Sequence, residues 1–196
     1  MSAPIAVLFA RKDSVYKTIA GCDVWDIDRD ARNWQGGSAC IAHPPCRAWG
    51  RLRQFARPRP DEKALATWAV DRVRENGGVL EHPAGSLLWD AAGLPAPGQR
   101  DDVGGWTLPI LQFWFGHRAD KPTWLYVVGV GPTDIPTLPI ALGDAPCVIQ
   151  TRKREDYRPH VTKAEREHTP AALAHWLVEL ARRCAIARQP KERAIA

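Results

Sequence analysis

The sequence predicts an α/β fold, a single domain with a mainly parallel β-sheet and helices on both of its faces. Short apolar runs alternate along the chain with segments of helical periodicity, as they do when strands are connected by helices. The chain has 196 residues, which is the length of one ordinary domain. Apolar residues make up 45% of it and charged residues 25%, so it can form a core and is not a disordered chain.

Five segments are predicted to be strands because they are short, apolar and rich in β-branched or aromatic residues. In chain order they are residues 5–10, residues 22–27, residues 39–42, a segment that starts at Val79-Leu80, and residues 124–130. Polar residues directly follow the second, third and fourth of these segments. Ligands of open α/β sheets bind beyond the carboxyl ends of the strands, so a functional site is expected there.

Three segments are predicted to be helices, at residues 12–20, 61–75 and 169–183. The second has apolar residues at helical spacing and stops at Gly77-Gly78. The third has Thr169 as its N-cap and Pro170 at the first helical position. Residues 131–168 alternate proline, glycine and charge, which predicts loops with at most one short strand.

Composition also limits the classes of function. No apolar run approaches the roughly 20 residues that span a bilayer, so no membrane partner is expected. The first residues lack the pattern of a signal peptide, and the five cysteines form no C-x-x-C pair. We therefore expect one domain over residues 1–190, a disordered tail over residues 191–196, and a cytoplasmic location.

Cys46 and Glu81 are the candidate catalytic residues. Cys46 follows two prolines that fix the backbone direction at the carboxyl edge of the predicted sheet, where a thiol is a candidate nucleophile. Glu81 follows an apolar pair, and the partial burial expected from that would raise its pKa and suit it to hold or donate a proton. The alternatives are a packed or merely exposed cysteine and a capping or surface carboxylate.

These residues lie in segments that resemble the cytosine-C5 DNA methyltransferases. Ala42-His43-Pro44-Pro45-Cys46 is similar to the Pro-Cys nucleophile motif of that family, and Val79-Leu80-Glu81-His82-Pro83 is similar to its Glu-Asn motif. Residues 23–28, 121–124 and 165–173 resemble the second strand, the basic strand and the closing segment of the family, in the same order. The sequence thus resembles a compact, divergent member of phage or prophage type, which implies a bacterial host cell.

The resemblance implies a Rossmann-like methyltransferase sheet, truncated and without a separate target-recognition domain. It implies a transferase in which Cys46 adds to C6 of cytosine, Glu81 holds N3, and Arg118 or Lys121 contacts the base carbonyl or the phosphate backbone. Substrate-binding positions are further implied for His43, Pro45, Arg47, His82 and Thr123, and cofactor-binding positions for Phe9 and Asp26.

The S-adenosylmethionine site of the family is incomplete in this sequence. The family has a Phe-x-Gly-x-Gly-Gly loop after its first strand, whereas residues 8–14 contain two basic residues and no glycine. The short interval between Asp26 and Cys46 also lacks the Asp-Ile pair of the third cofactor segment. S-adenosylmethionine is therefore a doubtful cofactor, and the group transferred is left open.

The expected partner is DNA or a pyrimidine nucleotide. Arginines at positions 47, 51, 53, 57 and 59 follow the candidate nucleophile and suit phosphate groups beside it. A second basic stretch, from Arg152 to Arg166, is either a phosphate-binding or a solvated loop. No metal site is expected, because zinc deaminases need a C-x-x-C pair that is absent here.

Two alternatives remain open. One is a pyrimidine hypermodification enzyme that keeps Cys46 and Glu81 but uses another donor or a nucleotide substrate. The other is a catalytically inactive relative that binds DNA or a protein.

Overall fold

Six strands form one mixed, mostly parallel sheet in a computed structural model that describes residues 3–51, 53–150 and 156–188. The strands are β1 (Ile5–Leu8), β2 (Cys22–Trp25), β3 (Cys40–Ala42), β4 (Gly78–Pro83), β5 (Trp106–Leu111) and β6 (Pro122–Val128). Their order across the sheet is β2-β1-β3-β4-β6-β5. The first four strands pair in parallel, and β6 pairs antiparallel with both β4 and β5. The α/β class predicted from the sequence is confirmed.

Two long helices cover opposite faces of the sheet. The helices are α1 (Glu62–Asn76), α2 (Leu88–Ala91), α3 (Lys163–Glu167) and α4 (Ala171–Arg188). Each helix forms a hydrophobic core with the sheet. In one core α4 packs against Val7, Ile41 and Val79, and in the other α1 packs against Leu8 and Leu80. Successive side chains of a strand point to opposite faces, so each central strand contributes to both cores.

The two main helices follow from local sequence. Leu173, Leu177 and Leu180 of α4 are fully buried at a spacing that forms one apolar stripe. Burial of each such leucine contributes about 1.5–3 kcal/mol. Helix α1 ends at Gly77, which has a φ of 78° that glycine adopts without strain.

Several predicted boundaries differ from the structure. Residues 12–20 contain only a 3₁₀ turn, Val15–Thr18, and α4 begins after Pro170, so Thr169 is not its N-cap. The described part of residues 131–168 has no strand, but it includes α3, whose capping box joins Thr162 and Glu165. Residues 151–155 and the predicted tail lie outside the described residues.

Strand β5 is absent from the sequence prediction, and the direction of β6 was not foreseen. Pro109 lies within β5 and cannot donate a backbone hydrogen bond, which makes the segment a poor candidate for a central strand. The structure places β5 at the edge of the sheet, where proline is tolerated. No helix in the described residues is long and apolar enough to cross a membrane.

The close approach of β3 and β4 depends on Gly78. This residue has a φ of 117°, and a Cβ atom built on it would lie 1.9 Å from the carbonyl oxygen of Cys40. The atoms that this Cβ would meet belong to the backbone of Cys40, which cannot move aside as a flexible side chain can. A side chain at position 78 would therefore force the strands apart.

We predict that Gly78→Ala lowers the free energy of unfolding by more than about 3 kcal/mol, because the added methyl group overlaps backbone. The control is Gly143→Ala, since Gly143 has a φ of 93° but nothing within 4 Å of its added Cβ. In the control, the free energy of unfolding should fall only by the cost of a left-handed conformation for alanine, about 1–2 kcal/mol. Urea denaturation followed by circular dichroism measures both values, and equal losses would contradict the prediction.

Candidate functional site

The candidate site lies at the carboxyl ends of β3 and β4, where the sequence analysis expected it. His43 comes directly after β3, and Cys46 lies in the turn that follows, while Glu81 is part of β4. The carbonyl of Cys46 accepts hydrogen bonds from the backbone N–H groups of Trp49 (3.0 Å) and Gly50 (2.8 Å). These bonds fix the turn and leave Cys46 exposed.

The Glu81 carboxylate is held by two side chains. Its Oε2 lies 3.1 Å from Nδ1 of His43, and its Oε1 accepts a hydrogen bond of 3.0 Å from Nε2 of Gln112. The other ring nitrogen of His43, Nε2, lies 3.0 Å from the hydroxyl of Tyr16. In a neutral His43, Nδ1–H donates to the carboxylate and Nε2 accepts from the Tyr16 hydroxyl.

Burial by itself would raise the pKa of Glu81, which is the direction expected from the sequence. The hydrogen bond and charge of His43, together with the charges of Lys121 and His82, outweigh burial and lower the pKa to about 2. The raised pKa expected from the sequence is therefore wrong, because the sequence does not show that His43 contacts the Glu81 carboxylate. Glu81 is ionised at neutral pH and accepts hydrogen bonds rather than donating a proton.

Cys46 and Lys121 interact electrostatically with Glu81. Surrounding protein desolvates the Cys46 thiol and raises its pKa, the negative charge of Glu81 raises it further, and Lys121 opposes both. Burial lowers the pKa of Lys121, whereas the charges of Glu81 and Cys46 support its ammonium form. We call these three residues the Cys46–Glu81–Lys121 cluster.

Lys121 is held in place directly before β6. Its backbone has a φ of 41°, which costs a residue with a side chain about 1–2 kcal/mol. Its carbonyl accepts a hydrogen bond of 3.0 Å from the Thr123 hydroxyl, and its Nζ donates one of 3.1 Å to the carbonyl of His168. Thr123 in turn accepts from Nε2 of Gln112 at 3.1 Å. Thr123, which was predicted to bind substrate, thus positions Gln112 and Lys121.

Tyr16 and Gln112 are site residues that the sequence analysis missed. Tyr16 is fully buried in the turn after β1, and Gln112 is buried at the end of β5. Neither belongs to a recognisable motif, and β5 itself was not predicted. The only signal in the sequence concerns Gln112, which directly follows the apolar residues 108–111.

Other predicted substrate-binding residues are placed elsewhere or already paired. Arg47 forms an ion pair with the buried Glu62, and Arg118 forms one of 2.7 Å with Glu165. Pro45 is half-buried next to Cys46. In the second basic stretch, Arg152, Lys153 and Arg154 lie outside the described residues.

His82 is separated from Glu81 by the sheet itself. It shares the α1 face with Leu80, whereas Glu81 shares the opposite face with Val79. Its side chain is fully buried beside Trp89, and among the described residues neither ring nitrogen has a hydrogen-bond partner. Desolvation lowers the pKa of His82 to about 4, so the imidazole is neutral at pH 7.

The residues predicted to bind S-adenosylmethionine do not fit that role. Asp26 is buried, its Oδ2 forms an ion pair of 2.7 Å with Lys17, and its Oδ1 accepts two backbone N–H groups. Phe9 packs edge-on against Trp68. The space beyond β1 is crossed by side-chain bonds of 2.9 Å that join Arg11 to Glu167 and His168 to Asp13.

Comparison with protein-family models, curated proteins and solved structures finds no match to this chain. The function of the site is therefore inferred from its own geometry. The thiol of the exposed residue Cys46 and an ionised carboxylate lie at the ends of neighbouring strands, and the ammonium group of the half-buried Lys121 interacts with both. A thiol beside a carboxylate and an ammonium group is a candidate nucleophile.

We predict that acid destabilises the protein through His82. The pKa is about 4 in the folded chain, below the ordinary value of about 6.5 expected when it is unfolded. Between these two values the unfolded chain binds the extra proton, so the free energy of unfolding falls as pH decreases. The loss attributable to His82 between pH 7 and pH 4 is about 3 kcal/mol.

His82→Leu should remove that part of the pH dependence. The measurement is urea denaturation of both proteins across this pH range. Burial also lowers the pKa of His117. The contribution of His117 to the pH dependence is the same in both proteins and cancels when they are compared. Parallel stability curves for the wild type and His82→Leu would contradict the prediction.

Proposed function

We propose that the protein is a pyrimidine-modifying enzyme, related in mechanism to the DNA (cytosine-5)-methyltransferases, in which Cys46 adds to C6 of the ring. The observation that supports this most directly is the Cys46–Glu81–Lys121 cluster. It places the thiol of Cys46, an exposed residue, and a fixed carboxylate at one edge of the sheet, which supplies a nucleophile and a group that can orient the ring.

The chemistry explains the choice of groups. C5 of a pyrimidine is a poor nucleophile. Addition of the thiolate to C6 forms the S–C6 bond, breaks the C5–C6 π bond and spreads its electron pair over C5, N3 and O2, so that C5 becomes nucleophilic. The negative charge moves from the sulfur into the ring, where the Lys121 ammonium group stabilises it. Glu81 is ionised, so it accepts a hydrogen bond from the exocyclic amine of cytosine. Lys121 stabilises the Cys46 thiolate and balances the charge of Glu81.

His43 acts through Glu81 in this proposal. Both of its ring nitrogens are already engaged, one by Glu81 and one by Tyr16, so it has no free atom for the substrate. It fixes the orientation and the ionisation state of the carboxylate, and Tyr16 fixes the tautomer of His43. Glu81 and Cys46 are then the residues that touch the ring.

The proposal extends to the thiolate adduct at C6 and leaves the electrophile that reacts at C5 open. The positions predicted for S-adenosylmethionine hold a buried, fully engaged Asp26 and a network of charged side chains. This arrangement favours a donor other than S-adenosylmethionine, as in the hypermodification of pyrimidines.

A second candidate is a catalytically inactive relative that binds nucleic acid or a protein. The observation that favours it is the raised pKa of Cys46, because a thiol that stays protonated at neutral pH is a weak nucleophile. The two candidates differ in whether Cys46 reacts with a pyrimidine at all.

We predict that the protein exchanges the hydrogen at C5 of cytosine with solvent, without any donor. Addition of the thiolate at C6 lets C5 take up a deuteron from D₂O, and loss of the original C5 proton with expulsion of the thiolate restores the ring. Proton NMR of deoxycytidine monophosphate and of a cytosine-containing oligonucleotide follows this reaction as loss of the H5 signal. Exchange of neither substrate would assign the protein to the second candidate.

The variants test which residues carry the exchange. Cys46→Ser should abolish it, because a hydroxyl supplies almost no anion at neutral pH. Cys22→Ser is the matched control, since Cys22 is half-buried and outside the cluster, and it should retain activity. Loss of exchange in the control but not in Cys46→Ser would show that another thiol reacts.

We predict that Glu81→Gln changes thiol reactivity and catalysis in opposite directions. Glu81 raises the pKa of Cys46, so the variant should react faster with iodoacetamide at pH 8 than the wild type does. Its exchange rate should fall by about 10- to 150-fold, the effect of losing one hydrogen bond to a charged group. Lys121→Met removes the opposing charge and should slow both reactions. Faster exchange in Glu81→Gln would refute the role given to the carboxylate.

A further inference from the structure

The segment between Cys46 and α1 is a loop that is fixed at both ends by one buried carboxylate. Glu62 is only 2% exposed in its side chain, and it pairs with Arg47 at the start of the loop and with Arg59 (3.7 Å) at its end. Arg47 donates to both carboxylate oxygens, with 3.1 Å between Nε and Oε2. We call residues 47–59, apart from the undescribed residue 52, the arginine loop.

Successive turns keep the arginine loop folded beside the thiol. The N–H of Gly50 donates to the carbonyl of Cys46, that of Arg53 to Gly50 (3.1 Å), and that of Ala56 to Arg53 (3.1 Å). Trp49 is buried, and its carbonyl accepts from the N–H of Leu87 at 3.1 Å. The loop is therefore a built surface that adjoins the exposed Cys46.

The middle of the arginine loop carries exposed positive charge that no acidic side chain in the described residues balances. Arg51, Arg53 and Arg57 are exposed, and none of them forms an ion pair with an acidic side chain in the described part of the chain. Phe55 lies between the last two and is 77% exposed. An exposed aromatic ring among unpaired arginines, next to a candidate nucleophile, matches the surfaces on which single-stranded nucleic acids bind.

We infer that the arginine loop binds single-stranded nucleic acid, with Phe55 stacking on an unpaired base and the arginines contacting the flanking phosphates. The inference rests on the proposed function, because it makes a polynucleotide the substrate of Cys46. Phe55 can stack only on a base whose face is free, which a duplex does not offer. A single strand also presents its pyrimidine to Cys46 without the cost of a few kcal/mol for removing it from a duplex.

The experiment measures binding by fluorescence anisotropy of labelled oligonucleotides of one cytosine-containing sequence. The probes are single-stranded DNA, single-stranded RNA and duplex DNA, each over a range of salt concentrations. We expect at least one single strand to bind more tightly than the duplex, and the comparison of DNA with RNA identifies which.

Phe55→Ala should weaken single-strand binding by about 5- to 150-fold, the range for loss of one stacked base, without changing the salt dependence. Arg53→Gln/Arg57→Gln should instead reduce the slope of log affinity against log salt by roughly 1.4, which is the effect of two phosphate contacts on a single strand. The two variants thus separate stacking from charge.

The chain offers a matched control for each variant. Leu142→Ala removes an apolar side chain that is 92% exposed but outside both the arginine loop and the second basic stretch. Arg182→Gln/Arg183→Gln removes two charges at the opposite edge of the sheet, where these side chains donate to the carbonyls of Ala20 and Asp134. Both controls should bind single strands within about twofold of the wild type, because neither of them removes a side chain of the arginine loop.

The inference is overturned if duplex and single strands bind equally, or if Phe55→Ala binds as its control does. Displacement of the oligonucleotide by poly-glutamate at equal charge would assign the arginine loop to acidic peptides instead. Exchange of C5 hydrogen in free deoxycytidine monophosphate without oligonucleotide binding would overturn the inference and leave the proposed function standing. Binding that depends on Phe55, without exchange of C5 hydrogen in any substrate, would overturn the proposed function and leave the arginine loop as a binding surface for single strands.

Discussion

The hydrogen bond between His43 and Glu81 is the interaction on which the site depends. It joins the carboxyl ends of β3 and β4, and its extensions to Tyr16 and Gln112 bring in the turn after β1 and the end of β5. Burial favours the protonated form of Glu81, and the hydrogen bond and charge of His43 are the largest effects that oppose it. The ionised carboxylate then sets the electrostatics of the other groups, because it raises the pKa of Cys46 and supports the charge on Lys121.

Much of the fold was predictable because its signals are local. The apolar runs of β1 to β4 and the glycines after α1 mark these elements without reference to any other part of the chain. Strand β5 was not predictable, since Pro109 argues against a strand until its place at the sheet edge is known. The antiparallel direction of β6 depends on its pairing with β4, which no local pattern encodes.

The positions of the motif residues in the fold were predictable from the sequence, but the hydrogen-bond and ion-pair partners of these residues were not. The sequence correctly brought His43, Cys46 and Glu81 to one edge of the sheet, because they follow or end adjacent strands. It could not show that Asp26 is engaged by Lys17, nor that Gln112 holds Glu81. The sequence shows which residues are charged. Whether a charged side chain is free to bind a ligand depends on contacts between segments that are distant along the chain.

The central claim is that Cys46 and Glu81 face one pyrimidine ring, and covalent capture tests it most directly. In 5-azacytosine a nitrogen replaces C5 and makes C6 more electrophilic, so a thiolate adduct can accumulate without a donor. Intact-protein mass spectrometry after incubation with 5-azacytosine, in a single-stranded oligonucleotide and as the free nucleotide, should show an adduct that peptide mapping places on Cys46. The adduct should be absent from Cys46→Ser. A folded wild-type protein that forms no adduct, or forms it on another cysteine, would contradict the account.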